Sequence, residues 1–281
     1  MPVNTLSKKC SMPTALTFCT LLLFIAAYYP AMHILTKKWA TSEEYGHAFL
    51  TIPIILHMAW LKRGELTASE PTYTSLGLTL ILIATPLYIF ALLTEIHTVI
   101  TLSMMITLWG TLIYLSGIRS IRMLITPLLL LLFLIPVPAQ LYIELTFPLQ
   151  LMVSKISENI IRIFNVPIFR EGNIMMVPGK SFEVAGACSG LRSLISLLTL
   201  SIIMGHYMLK KNTFKLLLIA ASIPTAILVN IFRVVATVLL FNFFQLDLSE
   251  GIVHEATGLV VFILALLILF LSQKYLENLE T

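Results

Sequence analysis

A cysteine, an arginine and a histidine, far apart in the chain, have side chains that could together carry out acyl transfer. Cys188 lies in the run Ala-Cys-Ser-Gly-Leu-Arg-Ser at positions 187–193, Arg233 interrupts an apolar run, and His254 opens the last apolar run. A thiolate is a competent nucleophile, while guanidinium and imidazole groups stabilise charge and transfer protons. If all three reach one face of a membrane, they predict a cysteine enzyme at that surface.

The surroundings of Cys188 favour a reactive thiol over the alternative, a buried and inert cysteine. Small neighbours leave its approach unobstructed, and it lies at the start of an apolar run predicted to be helical. The positive end of a helix dipole favours a thiolate. Arg192 lies one turn further on the same helical face. Backbone N–H groups around Ser189 and Gly190 could complete an oxyanion hole.

Arg233 is expected near the outer membrane surface, level with Cys188. The apolar run that contains it begins near Phe214, and nineteen residues of helix rise about 28 Å. A charged side chain in such a run is unfavourable and is usually functional. The alternative is an arginine that snorkels or pairs helices. Asn230, one turn earlier, could hold the guanidinium.

His254 begins the sequence His-Glu-Ala-Thr-Gly on the outer side, where the alternative is an ordinary interfacial histidine. Gly258, on the same face, allows close approach of a neighbouring helix or a substrate backbone. His47 opens the second apolar run just after Tyr45 and could line the same pocket. Packing or interfacial positions are expected for the remaining histidines, which are His33, His57, His97 and His206.

The composition predicts an all-α polytopic membrane protein. Of 281 residues, 58% are hydrophobic and 11% charged, whereas a soluble domain has about 25% charged residues. The net charge of +4 resides in short loops, as membrane topology requires, and does not indicate nucleic-acid binding. The other two cysteines, Cys10 and Cys19, lie near the N-terminus. No zinc-type Cys/His spacing occurs, so no metal or cofactor is expected.

About eight transmembrane helices are predicted in a single domain over residues 1–281, because about 20 apolar residues span a bilayer. The first is interpreted as a retained anchor. The Lys/Arg bias places the N-terminus inside and the three candidate residues outside, with Lys37 and Lys38 as exceptions. The eight apolar runs are residues 14–35, 47–61, 75–94, 96–116, 121–137, 189–209, 214–243 and 254–273.

The long segment 138–187 is predicted to lie outside the membrane, on the extracytoplasmic side. Its first half has apolar residues at helical spacing from Ala139 to Phe164, which predicts an amphipathic interfacial helix with a break at Pro148. Its second half contains Glu-Gly-Asn and Pro-Gly-Lys turn signals between short β-prone pieces. These predict a small hairpin or β-like flap that leads the chain to Cys188.

Three blocks of sequence resemble the signatures of the exosortase/archaeosortase family. They are Ala-Cys-Ser-Gly-Leu-Arg-Ser, then Asn-Ile-Phe-Arg-Val around Arg233, then His-Glu-Ala-Thr-Gly-Leu-Val-Val-Phe from His254. Tyr45-Gly46-His47 is similar to an early Tyr-x-His-Gly block, although its Gly and His are reordered. The resemblance covers about residues 40–270, and the cysteine block is its most specific part.

The resemblance implies a transpeptidase-like cysteine protease of the inner membrane with Cys188, Arg233 and His254 as its active site. Its partners would be exported proteins that end in a Pro-Glu-Pro-type motif, a transmembrane helix and a basic tail. Cleavage would proceed through a thioester. In archaeal relatives an arginine takes the third position, so His254 makes the chain resemble a bacterial exosortase. The roles of Arg233 and His254 stay open.

Two other classes of protein fit parts of the pattern. A transporter could line an ion path with Arg233 and His254, although the charges cluster at one face. A non-catalytic subunit of an envelope polysaccharide export assembly would leave Cys188 inert. Protection of the thiol by substrate would distinguish the enzyme from both.

Overall fold

The computed structural model describes residues 14–42, 44–68, 74–184, 191–249 and 251–280, which form twelve helices and one small sheet. The helices are α1 (Thr14–Ala27), α2 (Tyr29–Thr41), α3 (Ala48–Leu61), α4 (Arg63–Ala68), α5 (Ser75–Leu93), α6 (His97–Ser116), α7 (Ile118–Met123), α8 (Ile125–Phe133), α9 (Ala139–Ile163), α10 (Leu191–Met208), α11 (Asn212–Phe244) and α12 (Gly251–Asn278). The strands are β1 (Phe169–Glu171), β2 (Ile174–Val177) and β3 (Lys180–Glu183).

The predicted all-α polytopic class is confirmed, but the described helices support fewer spans than eight. Four of them, α5, α6, α11 and α12, are each long and apolar enough to cross a membrane. A fifth span is possible if α1 and α2 count together, despite a 64° bend between Cys19–Ala27 and Tyr29–Thr41. Pro30 in the first turn of α2 explains the break, since its ring lacks an N–H donor.

The remaining predicted spans correspond to shorter helices. The run 121–137 divides at Leu124 into α7 and α8, and α8 has only 9 residues. The 14 residues of α3 cover about 21 Å at the α-helical rise, less than the bilayer core of about 30 Å. Apolar composition therefore identified these segments as helices, but the run 121–137 is not one unbroken helix and α3 is too short to cross the bilayer core.

Three helices, α10, α11 and α12, form the bundle that positions the candidate site. Leu197, Leu218, Val229, Ala265 and Leu269 are buried together where these helices meet. With 33 residues, α11 is about 50 Å long, so it extends well beyond a hydrocarbon core of about 30 Å. Its second half carries Arg233 and continues to the loop before α12.

A second hydrophobic cluster attaches the small sheet to the far end of α11. The sheet is antiparallel with strand order β1-β2-β3, which confirms the β-like flap and adds a third strand to the expected hairpin. The helix α9 runs unbroken for 25 residues through Pro148, so the expected break is wrong. Buried side chains from α9, the flap and α11 pack together: Val153, Ile161, Val166, Met175, Val177, Phe182, Val184, Ile231, Val234, Val235 and Val238.

The end of the bundle opposite Arg233 is rich in basic residues. There the backbone N–H groups of Lys210 and Lys211 donate to the Glu280 carboxylate at 2.8 Å and 2.7 Å. Lys62 pairs with Glu65 just after α3. The chain therefore enters α3, α10 and α12 at the end that holds Arg233 and leaves each of them at the basic end.

Candidate active site

A cavity of about 970 Å³ lies between α3, α10, α11 and α12. Three of the predicted site residues, His47, Arg233 and His254, line it together. Polar residues gather at the end of the cavity where α3, α10 and α12 begin, and apolar ones follow deeper along the same three helices. Its other polar lining residues are Thr51, Ser193, Ser196, Thr199 and Glu255, and its deeper apolar lining includes Ile54, Ile203, Phe262 and Leu266.

Arg233 and His254 are directly bonded across the α11–α12 contact. The Arg233 Nη2 group donates to His254 Nε2 at 2.9 Å and also lies 3.2 Å from the His254 carbonyl oxygen. Both side chains are half-buried. Within the described part of the chain these bonds use only Nη2, so the N–H groups of Nε and Nη1 can still donate to a substrate oxygen.

The contacts of His254 define which ring nitrogen carries a proton. A guanidinium has donors but no acceptor, so His254 Nε2 must present its lone pair to Arg233. The other nitrogen, Nδ1, lies 3.3 Å from the Leu248 carbonyl oxygen and donates to it. Both ring nitrogens of His254 are therefore engaged, and the ring orients the guanidinium.

The absence of a side chain at Gly258 makes room for Arg233. A Cβ atom at this position would lie 3.3 Å from Arg233 Nη2 and 3.6 Å from Cζ. A close approach was expected at Gly258, and the group that approaches it is the Arg233 side chain of α11. Asn230 is buried one turn from Arg233, and together with Ser193 it lines a small cleft beside the guanidinium.

His47 is fixed at the start of α3 by backbone contacts. Its Nδ1 lies 3.1 Å from the Glu44 carbonyl oxygen, and its own carbonyl accepts the Thr51 hydroxyl at 2.9 Å. Tyr45 is almost fully buried, and its hydroxyl accepts the Val137 N–H at 2.9 Å. Tyr45 therefore anchors the segment that carries His47 to the loop after α8.

An ion pair ties the flap to the loop between α11 and α12. The Lys180 ammonium contacts the Asp247 carboxylate, and the Ser249 hydroxyl and N–H also donate to Asp247. Hydrogen bonds from Lys180 and Ser249 lower the pKa of Asp247 to about 2. The last residue of the flap, Val184, is held by Asn173, whose carbonyl accepts the Val184 N–H at 2.9 Å.

Four predicted site residues cannot be placed by contacts. Cys188, Ser189 and Gly190 lie outside the described residues, as does the side chain of Arg192. The flanking chain is described on both sides, since Val184 ends the flap and Leu191 begins α10. The candidate nucleophile therefore belongs to the short connection between the flap and a cavity-lining helix.

Sequence reasoning missed several cavity-lining hydroxyl residues on α10. Ser193, Ser196 and Thr199 recur at intervals of three residues, which is the helical spacing of a shared face. Thr199 is buried, and its hydroxyl has no hydrogen-bond partner among the described residues. Their small size within an otherwise leucine-rich run was the available signal.

Fold and cavity together define a multi-pass helical membrane protein with an Arg–His pair in a polar-ended cavity. The chain belongs to a known family of this class: the family model for transmembrane exosortases matches residues 39–271. No curated protein and no solved structure matches the chain. Membership implies a role in processing exported proteins that carry sorting signals.

Proposed function

We propose that this protein is a membrane-embedded cysteine protease or transpeptidase that cleaves the C-terminal sorting signal of exported proteins. The observation that carries the proposal is the Arg233–His254 pair, bonded at 2.9 Å in a cavity within a chain of the exosortase family. The substrates would carry a Pro-Glu-Pro-type motif, a transmembrane helix and a basic tail, as the three sequence blocks imply.

Cys188 is the proposed nucleophile. Its sulfur attacks the scissile carbonyl, and the resulting oxyanion is stabilised by Arg233, which His254 orients. Leu191 follows Cys188 by three positions, a stretch of at most about 11 Å of extended chain. Because Ser193 lines the cavity, this reach supports attack near its polar end.

Collapse of the tetrahedral intermediate breaks the C–N bond and releases the amine of the C-terminal fragment. The acyl group of the exported protein stays on Cys188 as a thioester until water or an amine resolves it. The half-buried guanidinium suits this chemistry, since its N–H groups at Nε and Nη1 are not bonded to His254 and either can donate to an oxyanion. Backbone N–H groups near Ser189 and Gly190 are further proposed donors.

The site is proposed to face the extracytoplasmic side of the inner membrane. Basic residues at the opposite end of the bundle support this orientation, because cytoplasmic loops carry an excess of Lys and Arg. The position of Arg233, 21 residues into α11, corresponds to a rise of about 32 Å from that end. An exported substrate would reach this side.

Substitution of single cysteines tests the proposal. Cys188→Ala should insert normally and abolish cleavage of a co-expressed tagged substrate that ends in the sorting signal. Cys10→Ala and Cys19→Ala serve as matched controls and should process at the normal rate. Full processing by Cys188→Ala would contradict the enzyme and favour a transporter or a non-catalytic subunit.

A further inference from the structure

The two histidines that line the cavity differ in what their ring nitrogens contact. Both nitrogens of His254 are engaged, by Arg233 and by the Leu248 carbonyl. His47 has a partner only at Nδ1, and its Nε2 is buried without a hydrogen-bond partner among the described residues. A buried ring nitrogen without a partner is unfavourable and calls for an explanation.

The tautomer of His47 follows from its one bond. The Glu44 carbonyl can only accept, so Nδ1 carries the hydrogen and Nε2 carries the lone pair. Burial lowers the pKa of His47, and the bond to the Glu44 carbonyl partly opposes that effect. The imidazole is therefore neutral near pH 7 and able to accept a proton at Nε2.

Nothing else in the described cavity is equally suited to accept a proton. The Arg233 guanidinium has no lone pair to offer, and the Nε2 lone pair of His254 faces Arg233. Glu255 lines the same cavity but is largely exposed. The titratable and charged groups around His47 are thus Arg233, His254 and Glu255 across the cavity, with Glu44 and Tyr45 beside it.

We propose that His47 is the proton shuttle of the reaction, an inference that rests on Cys188 being the nucleophile. The Cys188 thiol proton passes to His47 Nε2, which leaves a thiolate and an imidazolium. The thiolate forms the C–S bond as the carbonyl electron pair moves to oxygen. When the C–N bond breaks, the imidazolium returns its proton to the leaving amine, and His47 is neutral again.

The contacts of their ring nitrogens give His47 and His254 different roles. His254 is a positioning residue that acts through Arg233, because its lone pair is occupied. His47 would touch the reacting sulfur and nitrogen, so it is a catalytic residue. An ordered imidazole with one nitrogen fixed by a carbonyl and the other unoccupied is the arrangement that general-base catalysis requires.

The test measures the reactivity of Cys188 without any substrate. In a Cys10→Ala/Cys19→Ala protein, the rate of Cys188 alkylation by iodoacetamide is followed from pH 5 to pH 10. His47→Asn is the informative variant, because its amide can still donate to the Glu44 carbonyl but lacks an acceptor at Nε2. His57→Asn is the matched control, since His57 bonds Tyr207 outside this cavity.

The expected result is a shift of the alkylation midpoint upward by at least about one pH unit in His47→Asn, because the Cys188 thiol loses the group that takes up its proton. At pH 6.5 alkylation should slow at least about tenfold, and substrate processing should fall about 100-fold or more. His57→Asn should match the parent protein in both assays.

Each other outcome decides against the shuttle. If His47→Asn leaves the alkylation midpoint unchanged, or processes substrate at the parent rate, His47 has a structural role and Cys188 is still the nucleophile. If His47→Asn does not insert, His47→Gln replaces it, and failure of both to insert would equally assign a structural role. Full processing by Cys188→Ala would instead remove the proposed function itself.

Discussion

The two walls of the cavity are built differently. On the α11–α12 wall, Arg233 and His254 satisfy each other, and Gly258 lets the guanidinium lie against the neighbouring helix. On the α3 wall, His47 is fixed at one nitrogen and lacks a partner at the other. The first wall is prepared to hold negative charge, whereas the second is prepared to accept a proton.

The walls also belong to different parts of the hydrophobic interior. Ile55 and Met58 of α3 pack with helices of the N-terminal half and with Ile202 of α10, whereas Ala265 and Leu269 of α12 pack with α10 and α11. Substitutions on one wall should therefore leave the other intact. Their effects can be separated by measuring both the substrate cleavage rate, which depends on oxyanion stabilisation, and the alkylation midpoint of Cys188, which depends on its thiol.

The largest effect is expected from Arg233→Lys on the charged wall. Lysine keeps the charge but lacks the planar set of donors, and the loss of one oxyanion donor lowers rates about 100- to 1,000-fold. Cleavage of a tagged substrate in membranes with equal amounts of each protein measures this. The alkylation midpoint of Cys188 should move far less than in His47→Asn. Near-normal cleavage would mean that Arg233 only snorkels.

At position 254, cleavage should depend on a hydrogen-bond acceptor for Arg233 more than on a side chain that can carry a proton. His254→Leu leaves Arg233 without its ring partner and should slow cleavage up to about 100-fold through misplacement. His254→Gln can still accept from Arg233, so it should recover most of that loss. A glutamine variant as slow as the leucine variant would indicate proton transfer by His254.

A methyl group at Gly258 should have a smaller effect. In Gly258→Ala the new Cβ would lie 3.3 Å from Arg233 Nη2, so the guanidinium must shift by a few tenths of an ångström. We expect cleavage to fall about tenfold, because small misplacements weaken catalysis. Gly46→Ala is the control, since its Cβ would meet nothing within 4 Å. Equal rates for both variants would show that Arg233 tolerates the shift.

The ion pair beneath the flap should contribute least. Asp247→Asn removes the charge that contacts Lys180, but a partly exposed pair is worth about 0–1 kcal/mol, so cleavage should change less than about threefold. Because the pKa of Asp247 is lowered to about 2, its contribution is present above the usual carboxyl range and is lost only toward pH 2. The ratio of variant to parent rates should stay constant from pH 5 to pH 8, and a drift in that range would contradict this assignment.

Much of the site was predictable from helical rise and residue order. Counting along the apolar run predicted that Arg233 would lie near the outer membrane surface, level with Cys188, and that level stays a prediction. The structure shows that Arg233 bonds His254. The pairing itself was not predictable, because periodicity gives the level of a side chain and not the atom it contacts. The placement of His47 depends on a local bond to the Glu44 carbonyl and on the bond between Tyr45 and Val137, which lies in a distant segment.

The type and position of the elements were predicted better than the continuity of the helices. Turn signals located the flap, whereas the run 121–137 was interpreted as one span although the chain divides at Leu124. An apolar run has the same composition whether its helix is continuous or broken. Pro148 shows the converse, because a proline inside a helix removes one backbone hydrogen bond without ending α9.

Detection of the acyl-enzyme tests the central claim most directly. Membranes that contain the protein and a tagged substrate are quenched in acid, digested and analysed by mass spectrometry. The account predicts that the Cys188 peptide carries the acyl fragment of the substrate, that hydroxylamine releases it, and that Cys188→Ala forms no such adduct. Cleaved substrate together with normal turnover in Cys188→Ala, and no thioester on Cys188 in the parent protein, would contradict it.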